Sequence, residues 1–267
     1  MKFLRVLFVT SLIPFLSACR QAPPTGPLSA PVLIRQQFTL TGASRCDTLV
    51  NKGVDVSVGY FQLQDNSEGA RKINDSLRML AVGSITGWLD SATVAANPDA
   101  RTDLNRAAAL FAADYQAVTN DMGGLGGCWE LKTDSDTTYA SSTVITARME
   151  TYAYTGGAHP NSNLSFYMFD RQTGRTLSLN DVVSDTTALL NVVERAFRRQ
   201  QELPPRANLE ERGYFLRDGR FFLPDNIGMS RVGLVFYYNP YEIAAYALGP
   251  IEVTVPYTQL GGILRTD

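Results

Sequence analysis

Apolar residues change their spacing several times along the chain, and each change marks a different predicted element. From Val54 to Tyr60 they alternate with polar or small residues, which predicts a strand buried on one face. From Ala70 to Trp88 they recur every three or four residues, which predicts an amphipathic helix. The sequence Asn97-Pro98-Asp99 then supplies a cap residue, a first-turn proline and a carboxylate near the positive end of the helix dipole. It predicts the start of a second helix.

After a glycine-rich turn at residues 123–127 the pattern predicts mainly strands. Residues 129–132 and 139–154 are interpreted as neighbouring strands joined by a turn at Asp134-Ser135-Asp136. A third strand is predicted at residues 164–170, a third helix around residues 189–197, and two final strands at residues 232–238 and 251–255. Because strands and helices occur in separate blocks, the predicted fold class is α+β, with three to four helices packed on antiparallel sheets.

The first residues predict where the protein works. Lys2 and Arg5 flank the start of an apolar run that reaches Leu16-Ser17-Ala18-Cys19, the pattern of a bacterial lipoprotein cleavage site. We therefore predict a signal peptide at residues 1–18, lipidation of Cys19 and a proline-rich tether at residues 19–36. The alternative is an ordinary secretory signal followed by a coincidental cysteine. The predicted location is the cell membrane or the outer membrane, facing away from the cytoplasm.

The net charge limits the class of partner, and the cysteine content predicts a disulfide. The formal net charge is −2, and it becomes about −4 once residues 1–18, which carry two basic residues, are removed. A mildly acidic chain lacks the basic face that nucleic acid requires, so no nucleic-acid partner is expected. With Cys19 assigned to lipid, Cys46 and Cys128 remain, and in an oxidising compartment they are expected to form one disulfide. Two free, buried thiols are the alternative.

Candidate chemistry concentrates in a loop that holds the single histidine, His159. It follows Gly156 and Gly157, which suit a tight turn with positive φ. One imidazole cannot build a zinc site that needs two or three, and neither metal nor cofactor is predicted. A serine–histidine dyad would have to use His159, and the chain has no G-x-S-x-G motif. His159 is then a general base, a contact residue or a structural hydrogen-bonding residue. Asp134 and Asp136, two residues apart at the predicted turn, are a candidate carboxylate pair, and local backbone bonding is the simpler interpretation of them.

Tyrosine is unusually dense near the C-terminal end of the chain. Five of these residues lie within a short stretch: Tyr237, Tyr238, Tyr241, Tyr246 and Tyr257. Tyrosine combines apolar area with a polar tip, which suits a binding surface, but it also fills half-buried sheet positions.

Two stretches resemble a known family. Residues 154–159, which end in T-G-G-A-H, and residues 235–244, which include Y-N-P-Y-E-I-A, resemble the family that contains the anti-sigma factor RsiV and the peptidoglycan deacetylase PdaC. Gly249 and V-T-V-P-Y at residues 253–257 continue the second motif. The resemblance implies an extracytoplasmic α+β module in two parts, residues 37–160 and 161–267. In that family the module captures lysozyme or accompanies a separate deacetylase domain.

These observations predict a cell-envelope lipoprotein with a binding domain and no catalytic residues. The expected ligand is a macromolecule, either a lysozyme-like muramidase or peptidoglycan. The binding residues predicted are Thr155, Gly156, Gly157, His159, Asn161 and Tyr241. Two other functions stay open: a cell-wall hydrolase that uses His159 or a carboxylate pair, and a purely structural envelope protein. The zinc triad of the deacetylase needs two histidines, so deacetylation is not expected here.

Overall fold

The computed structural model describes residues 31–40, 45–47, 49–124 and 127–265. The predicted signal peptide, Cys19 and most of the predicted tether lie outside the described residues. Within them the chain forms two subdomains, each built on its own sheet and apolar core. We call residues 32–177 the N-terminal subdomain and residues 178–265 the C-terminal subdomain. The predicted α+β class is confirmed.

The N-terminal subdomain is a six-stranded sheet with helices on one face. Its elements are β1 (Leu33–Thr39), β2 (Gly53–Leu63), α1 (Glu68–Thr86), α2 (Ser91–Ala96), α3 (Leu104–Asp121), β3 (Cys128–Ala140), β4 (Val144–Tyr154), β5 (Asn161–Asp170) and β6 (Thr176–Leu177). The strands lie in the order in which they occur along the chain. Neighbours are antiparallel except β2 and β3, which are parallel because the helices between them carry the chain back across the sheet.

The helices bury the apolar stripe that their sequence predicts. Ile73 of α1 and Phe111 of α3 are fully buried against Val58 and Leu131 of the sheet. The second long helix begins at Leu104, later than the Asn97 start that the sequence suggested, and residues 98–101 form a short 3-10 turn. The side chain of Asp103 sets the start, because it accepts the N–H of Arg106 at 2.9 Å.

Strand β3 runs through residues 134–136, so the turn predicted there is wrong. Asp134, Ser135 and Asp136 lie inside the strand rather than between two strands. Ser135 is buried, whereas the two aspartates point to the opposite face, and Asp134 forms an ion pair with Arg35 of β1. Successive residues of a strand face opposite sides of the sheet even when all are polar. A run of turn-forming residues therefore does not by itself indicate a turn. Strand β1 likewise begins at Leu33, inside the predicted tether.

The C-terminal subdomain places helices beside a three-stranded antiparallel sheet. Its elements are α4 (Leu179–Val182), α5 (Thr186–Gln200), β7 (Ile227–Met229), β8 (Gly233–Tyr238) and β9 (Ile251–Pro256). Phe197 of α5 packs against Tyr238 of β8, with ring centroids 6.0 Å apart. The Tyr238 hydroxyl donates to the carbonyl oxygen of Phe222 at 2.7 Å, and burial raises the pKa of this phenol.

The boundary between the subdomains lies later than residue 160. Strands β5 and β6 pair with β4 and with each other in the first sheet. The second apolar core begins at Val183. Residues 161–177 therefore complete the N-terminal subdomain, although the sequence placed them in the second part.

A disulfide closes the first subdomain. Cys46 and Cys128 are bonded, which joins the segment before β2 to the first residue of β3 across a separation of 82 residues. Beside it, Gly53 has φ of 125°, and its N–H donates to the Tyr115 hydroxyl at 2.7 Å. No described helix is long and apolar enough to span a membrane.

Removing the disulfide should destabilise the chain strongly. For the loop of 82 residues, the chain-entropy relation gives a loss on the order of 4–5 kcal/mol in the free energy of unfolding. We expect the double variant Cys46→Ala/Cys128→Ala to show this loss in urea unfolding, and the parent to approach it in reducing agent. Unchanged unfolding midpoints in both cases would contradict the structural role of the bond.

Candidate functional site

The two subdomains meet along a strand edge that has no neighbouring strand. Strand β6 pairs only with Met168 and Phe169, so the first half of β5 is left open on that side in the described part of the chain. Two asparagine side chains of the C-terminal subdomain fill the gap. Asn239 Oδ1 accepts the N–H of Leu164 at 2.9 Å, and Asn226 Oδ1 accepts the N–H of Phe166 at 2.7 Å. Both side-chain NH₂ groups donate to the Leu164 carbonyl oxygen.

Close packing accompanies these hydrogen bonds. A Cβ atom added to Gly228 of β7 would lie 2.5 Å from Cγ of Phe166, so only glycine lets the strand approach this ring. Nearby, the Thr138 hydroxyl of β3 donates to the Met229 carbonyl oxygen at 2.8 Å. Strand β7 therefore rests directly on the first sheet.

Glu242 holds both asparagines in place. Its Oε2 accepts the N–H of Asn239 at 3.0 Å, and its carboxylate also bonds to the backbone of Asp225, which precedes Asn226. Burial raises the pKa of Glu242 above the ordinary value of 4.5, and the nearby Asp225 carboxylate acts in the same direction. One carboxylate thus fixes both the turn before β7 and the turn after β8.

The loop that carries the histidine connects β4 to β5 at the same junction. Gly156 has φ of 88° and Gly157 has φ of 98°, as the sequence led us to expect. The Tyr154 hydroxyl donates to the Gly157 carbonyl oxygen at 3.1 Å, which ties the loop to the end of β4.

An aromatic cluster forms where this loop meets the C-terminal subdomain. We define it as His159, Tyr241 and Tyr246. The rings of His159 and Tyr246 stack with centroids 4.0 Å apart, and those of Tyr241 and Tyr246 lie 5.5 Å apart. The Pro160 carbonyl oxygen accepts from both His159 Nδ1, at 2.9 Å, and the Tyr246 hydroxyl, at 3.1 Å. Both sequence motifs therefore contribute to one surface.

The hydrogen bonds of His159 assign the tautomer of its neutral ring and the orientation of that ring. A carbonyl oxygen only accepts, so in the neutral ring Nδ1 carries the proton. Nε2 is left as an acceptor and faces the Tyr241 hydroxyl at 3.5 Å, at the outer limit of a hydrogen bond. The ring is oriented by a backbone carbonyl and two tyrosines. This arrangement holds the imidazole in one orientation, with Nε2 directed toward Tyr241.

Tyr241 has a backbone conformation that is costly for a residue with a side chain. Its φ is 70°, in the left-handed region, and the residue remains 56% exposed. An exposed ring gains little from burial, so the fold itself does not explain why tyrosine rather than glycine stands here. Strained residues cluster at functional sites, and Tyr241 is accordingly a candidate contact residue.

The structure brings together some of the predicted binding residues and separates others. His159 and Tyr241 meet, whereas Thr155 and Asn161 lie at the two ends of the loop. Tyr246 belongs to the cluster although the sequence did not single it out from the other tyrosines. Asn226, Asn239 and Glu242 were missed as junction residues, and only the Asn239-Pro240 turn signal pointed near them.

The other residues considered for metal binding or catalysis do not form a site in the described part of the chain. Among the described residues, no group of three or more His, Cys, Asp or Glu side chains is arranged to hold a metal ion. Asp134 is paired with Arg35, and Asp136 Oδ1 accepts the N–H of Thr137 at 2.7 Å. The two aspartates therefore have local structural partners.

Two family models match this chain, and the matches follow its subdomains. Residues 50–162 match the family described as deacetylase PdaC. Residues 180–258 match the family described as a protein of unknown function, DUF3298. Both parts of the predicted module are thereby supported. The comparison with curated proteins gives no match.

Solved structures share the fold. A DUF3298 family member from Bacteroides fragilis has a TM-score of 0.66 at 20% identity, over 88% of this chain and 95% of that one. A DUF3298 family protein from Pseudomonas aeruginosa has a TM-score of 0.58 at 16% identity, over 90% of this chain and 96% of that one. At such low identity the likeness is one of fold alone.

Removing the side chain of Asn226 or Asn239 should weaken the contact between the two subdomains. Asn226→Ala or Asn239→Ala leaves buried backbone groups of β5 unpaired, which costs about 1–3 kcal/mol in the free energy of unfolding. Urea unfolding measures the loss. Asn180→Ala, at an exposed position of α4, is the matched control and should change little. Equal stability of all three variants would contradict the role assigned to these side chains.

Glu242 should give the stability a distinctive pH dependence. Since its pKa is higher in the folded than in the unfolded chain, the folded state binds the proton more tightly. Its contribution to stability is therefore greatest below the unfolded value and falls as the pH rises through the raised pKa. Glu242→Gln keeps an acceptor oxygen without charge. The free energy of unfolding of Glu242→Gln, relative to that of the parent, should rise from about pH 3 to 7. Glu210→Gln, an exposed control, should show no such trend.

Proposed function

We propose that this chain is a non-catalytic binding domain that recognises a macromolecule of the cell envelope through the aromatic cluster. The single observation that carries the proposal is Tyr241, an exposed residue held at a strained backbone position in contact with the stacked His159–Tyr246 pair. Rigid tyrosines that present apolar area and a polar tip are enriched among the residues that dominate binding energy.

The location follows from independent features. A disulfide between Cys46 and Cys128 and the two matched families indicate an extracytoplasmic, envelope-associated domain. Anchoring through a lipid on Cys19 is part of the proposal, and it rests on the sequence around that residue.

The geometry of His159 supports binding over hydrolysis. A general base needs a nucleophile or a water to activate, usually with a third group that orients the imidazole and stabilises its charge. Here the group that orients the ring is a neutral carbonyl oxygen rather than a carboxylate that would stabilise an imidazolium, and Nε2 faces the Tyr241 hydroxyl only at 3.5 Å. The hydrogen bonds fix the ring as one wall of a surface.

The proposed ligand is peptidoglycan or a muramidase-like protein that acts on it. The match of residues 50–162 to the PdaC model and the resemblance of the two motifs to the same family support this class of ligand. Both targets carry many hydrogen-bonding groups next to apolar patches, which suits a surface made of tyrosine and histidine.

Replacing Tyr241 should remove binding without harming the fold. Tyr241→Gly deletes the ring and also relieves the positive φ of 70°, so its stability should equal or exceed that of the parent. We expect its affinity for washed peptidoglycan, or for a purified lysozyme, to fall at least about tenfold, as for a central interface residue. Sedimentation and surface-based binding assays measure the two targets.

Phe215→Ala is the matched control, because Phe215 is 46% exposed and lies outside the aromatic cluster. It should bind as the parent does. Failure of the parent to bind either target would overturn the proposal. So would release of soluble wall fragments by the parent that is lost in His159→Ala, since this result would identify a hydrolase.

A further inference from the structure

Two exposed arginines face each other at the tip of a hairpin in the C-terminal subdomain. Arg217 and Arg220 form an antiparallel bridge, in which the N–H of each residue donates to the carbonyl oxygen of the other at 3.0 Å. Asp218 and Gly219 make the turn between them, with φ of 52° and 70°. A two-residue turn with positive φ at both positions matches the twist of the flanking strands. The side chains of Arg217 and Arg220 are therefore directly opposite each other on one face of the hairpin.

The fold gains no electrostatic stability from this pair of arginines. Like charges at directly opposite positions of two strands repel each other and weaken the pairing. Within the described residues, neither guanidinium takes part in an ion pair, and neither does the carboxylate of Asp218 in the turn. An anion bound between the two guanidiniums would remove the repulsion and would use their N–H donors.

The ring of Phe222 holds one of the two guanidiniums in place. Cζ of Arg217 lies 4.5 Å from the centre of this ring. Phe222 packs in turn edge-on against the buried Tyr238, with ring centroids 5.8 Å apart. Stacking covers one side of the planar guanidinium and leaves the N–H groups at its edge able to donate. Arg217 is therefore oriented before a ligand arrives, which lowers the entropic cost of binding.

The hairpin lies beside the segment that carries Tyr241. The N–H of Phe215 donates to the carbonyl oxygen of Ile243 at 2.7 Å, which ties the two segments together. Burial raises the pKa of Glu242, and Arg217 is close enough for its positive charge to act in the opposite direction. The hairpin therefore borders the segment of the aromatic cluster without sharing a residue with the cluster.

Charge and the number of acceptor oxygens select the kind of anion. A carboxylate has one negative charge and two oxygens, which a single arginine can pair with in full. A phosphate monoester carries a charge of about −1.5 to −2 at pH 7 and has three strong acceptor oxygens. Two guanidiniums, each with a planar set of donors, therefore match a phosphate monoester better than a carboxylate.

We propose that Arg217 and Arg220 form a binding site for a phosphate monoester, whose oxygens accept from both guanidiniums. Lipid headgroups and phosphorylated glycans both carry this group, and the choice of probe separates the two sources. The site goes beyond the proposed function, because it neither uses the residues of the aromatic cluster nor depends on the ligand of that cluster.

The test presents phosphate to the full chain on a sugar and on a lipid. Glucose phosphate is titrated while NMR follows the side-chain N–H resonances of the arginines, and succinate, a dianion with two carboxylates, is the control ligand. Phosphatidylcholine vesicles with and without phosphatidic acid are tested by sedimentation. We expect phosphate to bind at least about fivefold more tightly than succinate and to shift the resonances of Arg217 and Arg220. Binding to glucose phosphate supports a glycan as the source, and binding only to the vesicles with phosphatidic acid supports a lipid.

Arg220→Gln should separate binding from stability. Its affinity for the phosphate probe should fall at least about fivefold, because one set of charged donors is lost. Its unfolding temperature should equal or exceed that of the parent, because the repulsion between like charges is removed. Arg199→Gln makes the same change of charge at an exposed position of α5 and should leave the affinity unchanged.

Three results would each overturn the inference: equal affinity for phosphate and succinate, no binding to either phosphate probe, or unchanged affinity in Arg220→Gln. An equal loss of affinity in Arg199→Gln would do the same, since it would reduce the effect to net charge. None of these measurements uses peptidoglycan or a lysozyme, so their failure is distinct from failure of the proposed function.

Discussion

Strand β5 has a neighbouring strand along its first half on one side only, and its backbone there is covered by the second subdomain. Leu164 is 2% exposed, so unpaired N–H and C=O groups at this position would be costly. Asn226 and Asn239 solve the problem, since a carboxamide offers a donor and an acceptor at the spacing of a peptide group. The position of the second subdomain follows from this pairing.

The geometry of the aromatic cluster depends on the same contact. Tyr241 lies two residues after Asn239 in a turn that Glu242 closes, so fixing Asn239 on β5 also sets the ring against His159. Tyr246 stacks on the imidazole and bonds to Pro160, which completes the contact from the other side. Because the aromatic cluster is shared by two subdomains, its geometry is sensitive to their relative position, which directional hydrogen bonds and packing at the junction fix together.

Sequence patterns predicted those parts of the molecule that depend on local spacing. The alternation around Val56 and the three- and four-residue spacing around Ile73 gave β2 and α1 almost at their observed bounds. The paired glycines before His159 have the expected positive φ. The run Asp134-Ser135-Asp136 failed, because turn-forming residues can also occupy the outer face of a strand whose other face is buried.

Contacts between residues far apart along the chain could not be predicted from local spacing. Nothing in local spacing marks Asn226 and Asn239 as partners of β5, since they are 60 to 75 residues away along the chain. The parallel pairing of β2 and β3, and the assignment of β5 and β6 to the first sheet, likewise depend on which strand edges remain to be filled. The strain at Tyr241 is visible only in the backbone.

Hydrogen–deuterium exchange with and without ligand tests the central claim most directly, because it locates contacts without any substitution. The chain would be labelled alone, with washed peptidoglycan and with a purified lysozyme. The account predicts slower exchange at residues 155–161 and 239–248 with at least one ligand, and little change around α5. Protection confined to other parts of the chain, with both of these segments unchanged, would contradict it.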